Sequence, residues 1–256
     1  MRLIIKFFSA IFLAFFISNQ AMSENISEIF SNLIPGEGIT EASIQINEDD
    51  DPDLEILAVR DISSEEFSNL FSQISLHTQE INNSNRLITN LGIGYRKLND
   101  DKSSMFGINS FLDLDIEGHK RGSVGFEAKG AMLDVTANSY AKLTNQKVVD
   151  GTKEQVLSGH EINLASQFPY MPWVTINWQN YSWEKEKADF NTEGNKLSLE
   201  AVLSPTVQFD IAGDFSDNSG VEDEYTYKLS FVYPPKENKK TLQDGFISDL
   251  AFEKAN

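Results

Sequence analysis

Cysteine is absent from the 256 residues, so the chain forms no disulfide, offers no thiolate to a metal and has no cysteine nucleophile. Basic residues are scarce too, since 21 lysines and arginines stand against 39 acidic residues and the formal net charge is -18. A field of this sign repels nucleic acid, which we therefore exclude as a partner. The three histidines, His77, His119 and His160, lack the spacing of a helical zinc motif. We expect no metal site and no cofactor.

Long apolar runs are also missing after the N-terminus. Two basic residues precede an apolar run at 7–17, and Ala21 and Ser23 are the small residues that a signal peptidase reads. A transmembrane helix needs roughly 20 apolar residues, more than this run supplies. We therefore predict a cleaved secretory signal at residues 1–23, the alternative being a retained N-terminal anchor. Any further entry into a membrane must then use strands.

Apolar and polar residues alternate strictly through residues 89–116, which predicts two strands joined by a short polar turn. About twelve such segments follow one another along the chain. They begin near Ile39, Asp53, Ser68, Leu87, Ser104, Gly122, Ala131, Ser158, Trp173, Lys196, Thr206 and Glu224. The first two segments follow the pattern least well, because Leu57 and Val59 break the alternation. Before the first segment, residues 25–33 have helical spacing that Pro35 ends.

The predicted connections alternate in length. Tight turns are expected at 129–131, 169–172 and 204–206, with long polar loops at 144–157 and 184–195 and a shorter one at 217–223. Outer-membrane barrels have long extracellular loops and short periplasmic turns, whereas a soluble sandwich has no reason to separate the two kinds. The sequence therefore predicts an all-β fold, a transmembrane antiparallel β-barrel of about twelve strands of the outer-membrane type.

The polar face of the segments predicts a wet lumen, because the same side chains would be costly in the core of a sandwich. We expect the lumen to be lined by Asn90, Arg96, Asp113, Asp115, Glu127, Lys129, Asn177 and Gln179. Aromatic residues gather near the segment ends, as is typical of membrane interfaces. They are Tyr170, Trp173, Trp178, Tyr181, Trp183, Tyr225, Tyr227, Phe231 and Tyr233.

Three motifs, NLGIGYR, FGINSFLDLDIEG and RGSVGFEAKG, follow one another between residues 90 and 130. They resemble the NLG-G-R, G-N-FLD-D and R-G-G-E strands of the inverse autotransporters, the intimin and invasin family. The likeness continues through GHEINLASQFPYMPWVTINWQNY and LSLEAVLSPTVQFDIAGDF, and upstream through SNLFSQISLH. The residues that carry the three motifs are Asn90, Leu91, Gly92, Gly94, Arg96, Gly107, Asn109, Phe111, Leu112, Asp113, Asp115, Arg121, Gly125 and Glu127.

The resemblance implies a barrel in the outer membrane of a Gram-negative bacterium that acts as membrane anchor and translocation pore. The helical spacing at 25–33 predicts a short periplasmic helical lead-in at 24–38, and the resemblance implies the barrel at 39–233 and a C-terminal tail at 234–256 that can thread the lumen. That tail is too short for a passenger domain, so we expect a barrel without its own passenger and do not carry cell adhesion over from the family. The expected partners are outer-membrane lipid and lipopolysaccharide, the barrel-assembly machinery, and a separate passenger or surface partner.

Two other functions fit the residues less well. One is a general outer-membrane channel for small solutes. The other is a barrel phospholipase, which needs a histidine in contact with a serine on a neighbouring strand. His160 lies near Ser158 and Ser166, but no G-x-S-x-G elbow accompanies them. We therefore expect a barrel that is not an enzyme.

A calcium loop is a further alternative for the acidic residues that follow the FLD motif. Asp113, Asp115 and Glu117 have the spacing with which such a loop begins, but its twelfth position is Val124 where a glutamate belongs. Apolar residues alternate with these acids at strand period. We therefore expect strand carboxylates that face the lumen.

Overall fold

A computed structural model describes residues 34–48, 51–82, 84–130, 132–184, 191–218 and 222–235. The predicted signal, the helix predicted at 25–33 and the tail beyond residue 235 lie outside the described residues. In the described part of the chain, no helix is long and apolar enough to cross a bilayer.

Across the described residues, twelve antiparallel strands close into one barrel, which confirms the predicted fold class. In chain order they are β1 Gly38–Asn47, β2 Asp53–Glu65, β3 Ser68–Ile81, β4 Ser84–Leu98, β5 Ser104–Asp115, β6 Lys120–Gly130, β7 Asp134–Lys142, β10 Gly159–Phe168, β11 Met171–Trp183, β12 Thr192–Ser204, β13 Val207–Ser216 and β14 Glu224–Tyr233. A separate hairpin, β8 Lys147–Val149 and β9 Thr152–Glu154, lies between β7 and β10. Pairing of β14 with β1 removes the free edges, so the ladder is complete within lipid.

The two ends of the barrel carry connections of different length. The end that holds Gly38 and Tyr233 has the connections 66–67, 99–103, 131–133, 169–170 and 205–206. The opposite end has 48–52, 82–83, 116–119, 143–158, 184–191 and 217–223. Because short turns are periplasmic in outer-membrane barrels, the first end is periplasmic and the second extracellular. The extracellular end also has two tight connections, one at 116–119 and one at 82–83, where Asn82 has a φ of 53°.

Apolar side chains on the outer wall form the belt that contacts lipid. On β4, Leu91, Ile93 and Tyr95 are 40, 51 and 42% exposed, and Phe106 and Ile108 on β5 are exposed as well. Large apolar side chains open to the surroundings on one face of a closed sheet are what a lipid belt requires. The period-two alternation at 89–116 therefore corresponds to a lipid face and a lumen face.

Leu57 and Val59, which break the alternation of the second segment, lie inside the barrel. They pack against Ile39 and Phe71, and Phe111 joins this apolar cluster. The inner wall therefore carries an apolar patch across β1, β2 and β3 in the periplasmic half. Because this packing makes the inner face of β2 apolar as well as its outer face, the sequence of β2 does not alternate strictly between apolar and polar residues.

Two of the aromatic residues expected at the membrane interface face the lumen instead. The Tyr181 hydroxyl donates to Asp214 Oδ1 at 2.8 Å. Trp183 lines the interior, with its ring centroid 5.1 Å from that of Tyr140. Both residues share the inward parity of β11, whereas Trp178 has the outward parity and is exposed. Tyrosine and tryptophan suit both surroundings, so residue type alone did not separate them.

Candidate pore and its extracellular mouth

The interior of the barrel holds a cavity of about 860 Å³ on the extracellular side. Its wall includes residues of β2 to β7 together with residues 153–157 from the loop that follows β7. A second cavity of about 350 Å³ is lined mainly by β10 to β14. Lys228 of β14 lines both cavities, and its Nζ donates to Glu55 Oε2 at 2.9 Å. The two spaces are therefore neighbours that share a charged wall.

Arg96 of β4 and Glu127 of β6, both expected in the lumen, form an ion pair inside the barrel. Arg96 Nε lies 2.7 Å from Glu127 Oε1, and the two side chains are 0 and 1% exposed. The guanidinium also lies over the Phe71 ring, 4.1 Å from its centroid. Removing water from an ion pair is costly unless hydrogen bonds and close packing compensate, as they do in this pair.

Gly107 of β5 makes this ion pair sterically feasible. It is in register with Arg96 on one side and Glu127 on the other, so the two partners are two strands apart. A Cβ at Gly107 would lie 2.4 Å from Glu127 Oε1 and 2.5 Å from its Cγ. The missing side chain leaves the gap through which the carboxylate reaches Arg96. The motif residues Gly107, Arg96 and Glu127 thus form one structural unit.

The other motif glycines leave gaps of the same kind. Gly125 separates Asn109 and Asn138, and a Cβ there would lie 2.3 Å from Oδ1 of each amide. The rings of Phe71 and Phe111 occupy the spaces next to Gly94 and Gly92, respectively. Of the motif leucines, Leu91 and Leu112 are in register with each other on the outer wall. The motif therefore encodes inner-wall packing together with part of the lipid face.

Asp113 and Asp115 bind basic side chains on neighbouring strands. Arg121 Nε donates to Asp113 Oδ2 at 2.7 Å, and Asn90 donates to its other oxygen. Arg86 Nη1 lies 3.4 Å from Asp115 Oδ2. These carboxylates therefore line the larger cavity as parts of ion pairs, and the described residues contain no cluster suited to a metal ion.

The remaining residues expected in the lumen lie on its other side. Lys129 and Asn177 line the smaller cavity. Gln179 Nε2 donates to Glu161 Oε2 at 2.8 Å, and Asn138 and the Tyr140 hydroxyl both donate to Glu161 Oε1. Side chains from β7, β10 and β11 thus meet at one carboxylate. This network fixes part of the wall and leaves its polar surface directed inward.

The loop at 143–158 folds over the extracellular mouth, an arrangement that no local pattern indicated. Glu154 of β9 accepts hydrogen bonds from both terminal nitrogens of Arg86 and, at 2.7 Å, from Asn82 Nδ2. The hydrogen bonds from Arg86 are the main reason that the pKa of Glu154 is lowered. Lys147 Nζ donates to the Gly118 carbonyl at 2.7 Å. The loop is therefore fastened to β4 and to the 116–119 turn.

The serines near His160 in sequence do not form a hydrolase site with it. His160 is exposed, Ser158 Oγ accepts from Lys142 N, and Ser166 Oγ donates to the Met132 carbonyl. Strand register instead places His160 opposite Ser139 and Ser182. The Ser182 hydroxyl is hydrogen-bonded to Glu193 Oε1 at 3.2 Å. The pairing with Ser139 and Ser182 follows from barrel register and was not visible in the sequence.

Comparison with known proteins gives one family match. The family model described as inverse autotransporter, beta-domain, matches residues 12–242. No curated protein matches the sequence significantly. The expected family is thereby confirmed.

Solved structures show the same architecture at low sequence identity. A membrane protein from a study of in-meso crystallization has a TM-score of 0.67 at 17% identity, over 81% of this chain and 89% of its own. An outer-membrane channel from Pseudomonas putida F1 has a TM-score of 0.54 at 8% identity, over 78% and 97%. The NanC porin has a TM-score of 0.51 at 12% identity, over 75% and 98%. At these identities the likeness concerns the fold alone.

Proposed function

Since the chain belongs to the inverse autotransporter β-domain family, we propose that its lumen exports the polypeptide that follows β14, after a cleaved signal has delivered the chain to the periplasm. The protein is an outer-membrane β-barrel that serves as membrane anchor and translocation pore. The family is not an enzyme class, and we propose no catalytic activity for this barrel. Residues 1–23 are the proposed cleaved signal.

The position of the last strand is the observation that carries this proposal. β14 ends at Tyr233 on the periplasmic side, beside the start of β1, so the following residues leave the wall at the periplasmic opening. From there, a chain can reach the cell surface through the lumen without crossing lipid. Fully extended, residues 234–256 reach roughly 75 Å. A strand of 15 residues such as β4, tilted as in other barrels, spans only about 40 Å of height.

The lining of the lumen suits an extended polypeptide. A passing chain presents unpaired backbone donors and acceptors, which need polar partners or water at every step. The smaller cavity offers amide, hydroxyl and charged side chains, among them Asn163, Asn177, Ser198 and Lys196. Both cavities are wide enough to hold water beside such groups. The apolar cluster around Val59 occupies only one sector of the wall.

The partners follow from the two surfaces of the wall. Outer-membrane lipid and lipopolysaccharide surround the apolar belt, and the barrel-assembly machinery inserts the chain. The exported segment connects the pore with a separate passenger or a partner at the cell surface. A general channel for small solutes is the second candidate function, because the same two cavities also provide space for solutes.

An epitope placed after Asn256 tests the threading of the tail. If the tail passes through the lumen, antibody added to intact cells should label this epitope about as strongly as one inserted at the Asp150–Gly151 turn of the β8–β9 hairpin. An epitope in the 169–170 turn should be labelled only after the outer membrane has been opened. Labelling of the Asn256 epitope only in opened cells would refute export through the lumen and leave the solute channel as the better function.

A further inference from the structure

The segment at 143–158 joins β7 to β10 and contains the hairpin of β8 and β9. In the ring of strands, β7 and β4 are separated by β6 and β5, yet the hairpin is bound to Arg86 on β4. It therefore crosses the rim above two strands. Residues 153–157 form part of the wall of the larger cavity, so this segment covers part of its extracellular side.

The hairpin is held mainly by one carboxylate. The side chain of Glu154 is only 9% exposed and is bound by Arg86 and Asn82, which belong to the β3–β4 corner of the mouth. The second fastening comes from Lys147 Nζ, which donates to the Gly118 carbonyl at 2.7 Å and to the Glu117 carbonyl at 3.4 Å. We call the contacts of Glu154 with Arg86 and Asn82 the clasp.

The hairpin has little else to stabilise its position. Each of its strands has three residues, and an isolated hairpin of that length is not stable in water. Val149 is the buried apolar residue of the hairpin, whereas Val148 is 66% exposed. A short element held by the clasp and by the hydrogen bonds of one lysine belongs to the class of structures that open locally at low free energy.

His119, in the 116–119 turn below the clasp, is a second feature that favours opening of the hairpin. Its side chain is 6% exposed, and neither ring nitrogen has a hydrogen-bond partner. Its Nε2 lies 3.6 Å from Glu154 Oε2, beyond hydrogen-bond distance. Buried ring nitrogens without hydrogen bonds are costly, and water would satisfy them as soon as the hairpin lifts. The closed position therefore carries a cost that favours opening.

We propose that the β8–β9 hairpin is a lid on the extracellular mouth of the pore, held shut by the clasp of Glu154 with Arg86 and Asn82. Release of the clasp lets the hairpin swing about the ends of β7 and β10, and the larger cavity then opens to the outside. The proposal rests on the proposed function only in taking an exported polypeptide as the molecule that passes through the mouth. A lid of this kind would also gate solutes.

The accessibility of a lumen residue beneath the lid tests the proposal in the full-length chain. Ser123 faces the larger cavity, and the protein has no cysteine of its own, so Ser123→Cys is a unique probe. A membrane-impermeant maleimide added to intact cells should label this cysteine slowly. Adding Glu154→Ala, or Arg86→Ala, should raise the labelling rate at least about tenfold, because either change leaves the clasp without one of its charges.

Three controls separate an open lid from a damaged barrel. Glu117→Ala removes a carboxylate from the 116–119 turn outside the clasp and should leave the labelling rate unchanged. The exchange Arg86→Glu with Glu154→Arg, made together with Asp115→Asn so that the new carboxylate at position 86 faces no second one, should restore slow labelling, because the pair is rebuilt with the charges reversed. All variants should still migrate differently before and after boiling, as closed barrels do.

A reversible cross-link provides a second measurement, in which a covalent link takes the place of the clasp contact between Asn82 and Glu154. In a chain with Asn82→Cys and Glu154→Cys, a short bis-methanethiosulfonate linker should block entry of a reagent into the lumen, and dithiothreitol should restore it. Equal labelling of Ser123→Cys with and without the clasp, or no effect of the linker, would overturn the lid. This outcome is distinct from failure of export, which the Asn256 epitope reports separately.

Discussion

Replacing Glu127 with alanine is expected to lower the free energy of unfolding by about 3–5 kcal/mol, the usual cost of leaving one charge of a buried pair without its partner. Arg96 would remain fully buried above the Phe71 ring and would lose the carboxylate that lies 2.7 Å from its Nε. Urea unfolding of the barrel in phospholipid vesicles, followed by tryptophan fluorescence, measures this difference.

An exposed ion pair supplies the matched control. Lys102 and Glu66 lie 3.7 Å apart at the periplasmic end, with side chains 40 and 73% exposed. Glu66→Ala should therefore cost no more than about 1 kcal/mol, because water screens this pair. A similar loss for Glu66→Ala and Glu127→Ala would contradict the assignment of a special role to the inner pair.

A substitution at Gly107, on β5 between the two partners, provides a second test of the Arg96–Glu127 pair. Gly107→Ala should destabilise the natural chain, because the new methyl group would occupy the space of the Glu127 side chain. In a chain that already carries Glu127→Ala, the same change should cost much less, since the space is then empty. This coupling between the two sites is what a double-mutant cycle measures. Additive effects would show that Gly107 has another role.

The second large effect is expected on β11, where neighbouring residues face different solvents. Ile176 is in register with Leu199 of β12 on the outer wall, whereas Asn177 lines the smaller cavity. Ile176→Arg should lower the free energy of unfolding by roughly 2–4 kcal/mol if the residue lies near the bilayer midplane. Asn177→Arg should cost little, because its charge stays in a wet lumen. The same vesicle-based unfolding measurement compares the two variants.

Single cysteines at these positions identify the solvent directly. Ile176→Cys should be shielded from membrane-impermeant thiol reagents, and a fluorophore attached to it in detergent and returned to vesicles should be quenched by spin-labelled lipid. A fluorophore on Asn177→Cys should escape that quenching. Quenching at 177, or at neither position, would show that the register of β11 against lipid is wrong, even with the barrel topology intact.

The architecture was readable from the sequence because its determinants are local. Period-two alternation requires only neighbouring residues, and the predicted starts at Asp53, Ser68, Ser104 and Glu224 coincide with those of β2, β3, β5 and β14. Turn length is local as well, so it distinguished the two ends of the barrel, although the connections at 82–83 and 116–119 on the extracellular side are tight. The motif at Asn90–Arg96 and its companions indicated the family that the family model then confirmed.

Local patterns were less informative about the direction of individual side chains. Tyr181 and Trp183 were expected at the interface and face the lumen, since their residue types suit lipid headgroups and a wet cavity equally. Leu57 and Val59 looked like an irregular strand and proved to be an inner apolar cluster. In both cases, whether the side chain faces lipid or lumen depends on its position in the alternation of the strand. It also depends on the side chains that the closed barrel brings next to it.

By itself, the sequence determined the strand number, the order of turns and loops, and the family, because alternation, turn residues and motifs are encoded within short stretches. Only the tertiary structure decided which side chains meet across strands. The pair Arg96–Glu127 forms because barrel register places Gly107 between them, and the clasp joins Arg86 to Glu154 across 68 positions of sequence. Such contacts depend on register and closure of the whole sheet, which no single segment specifies.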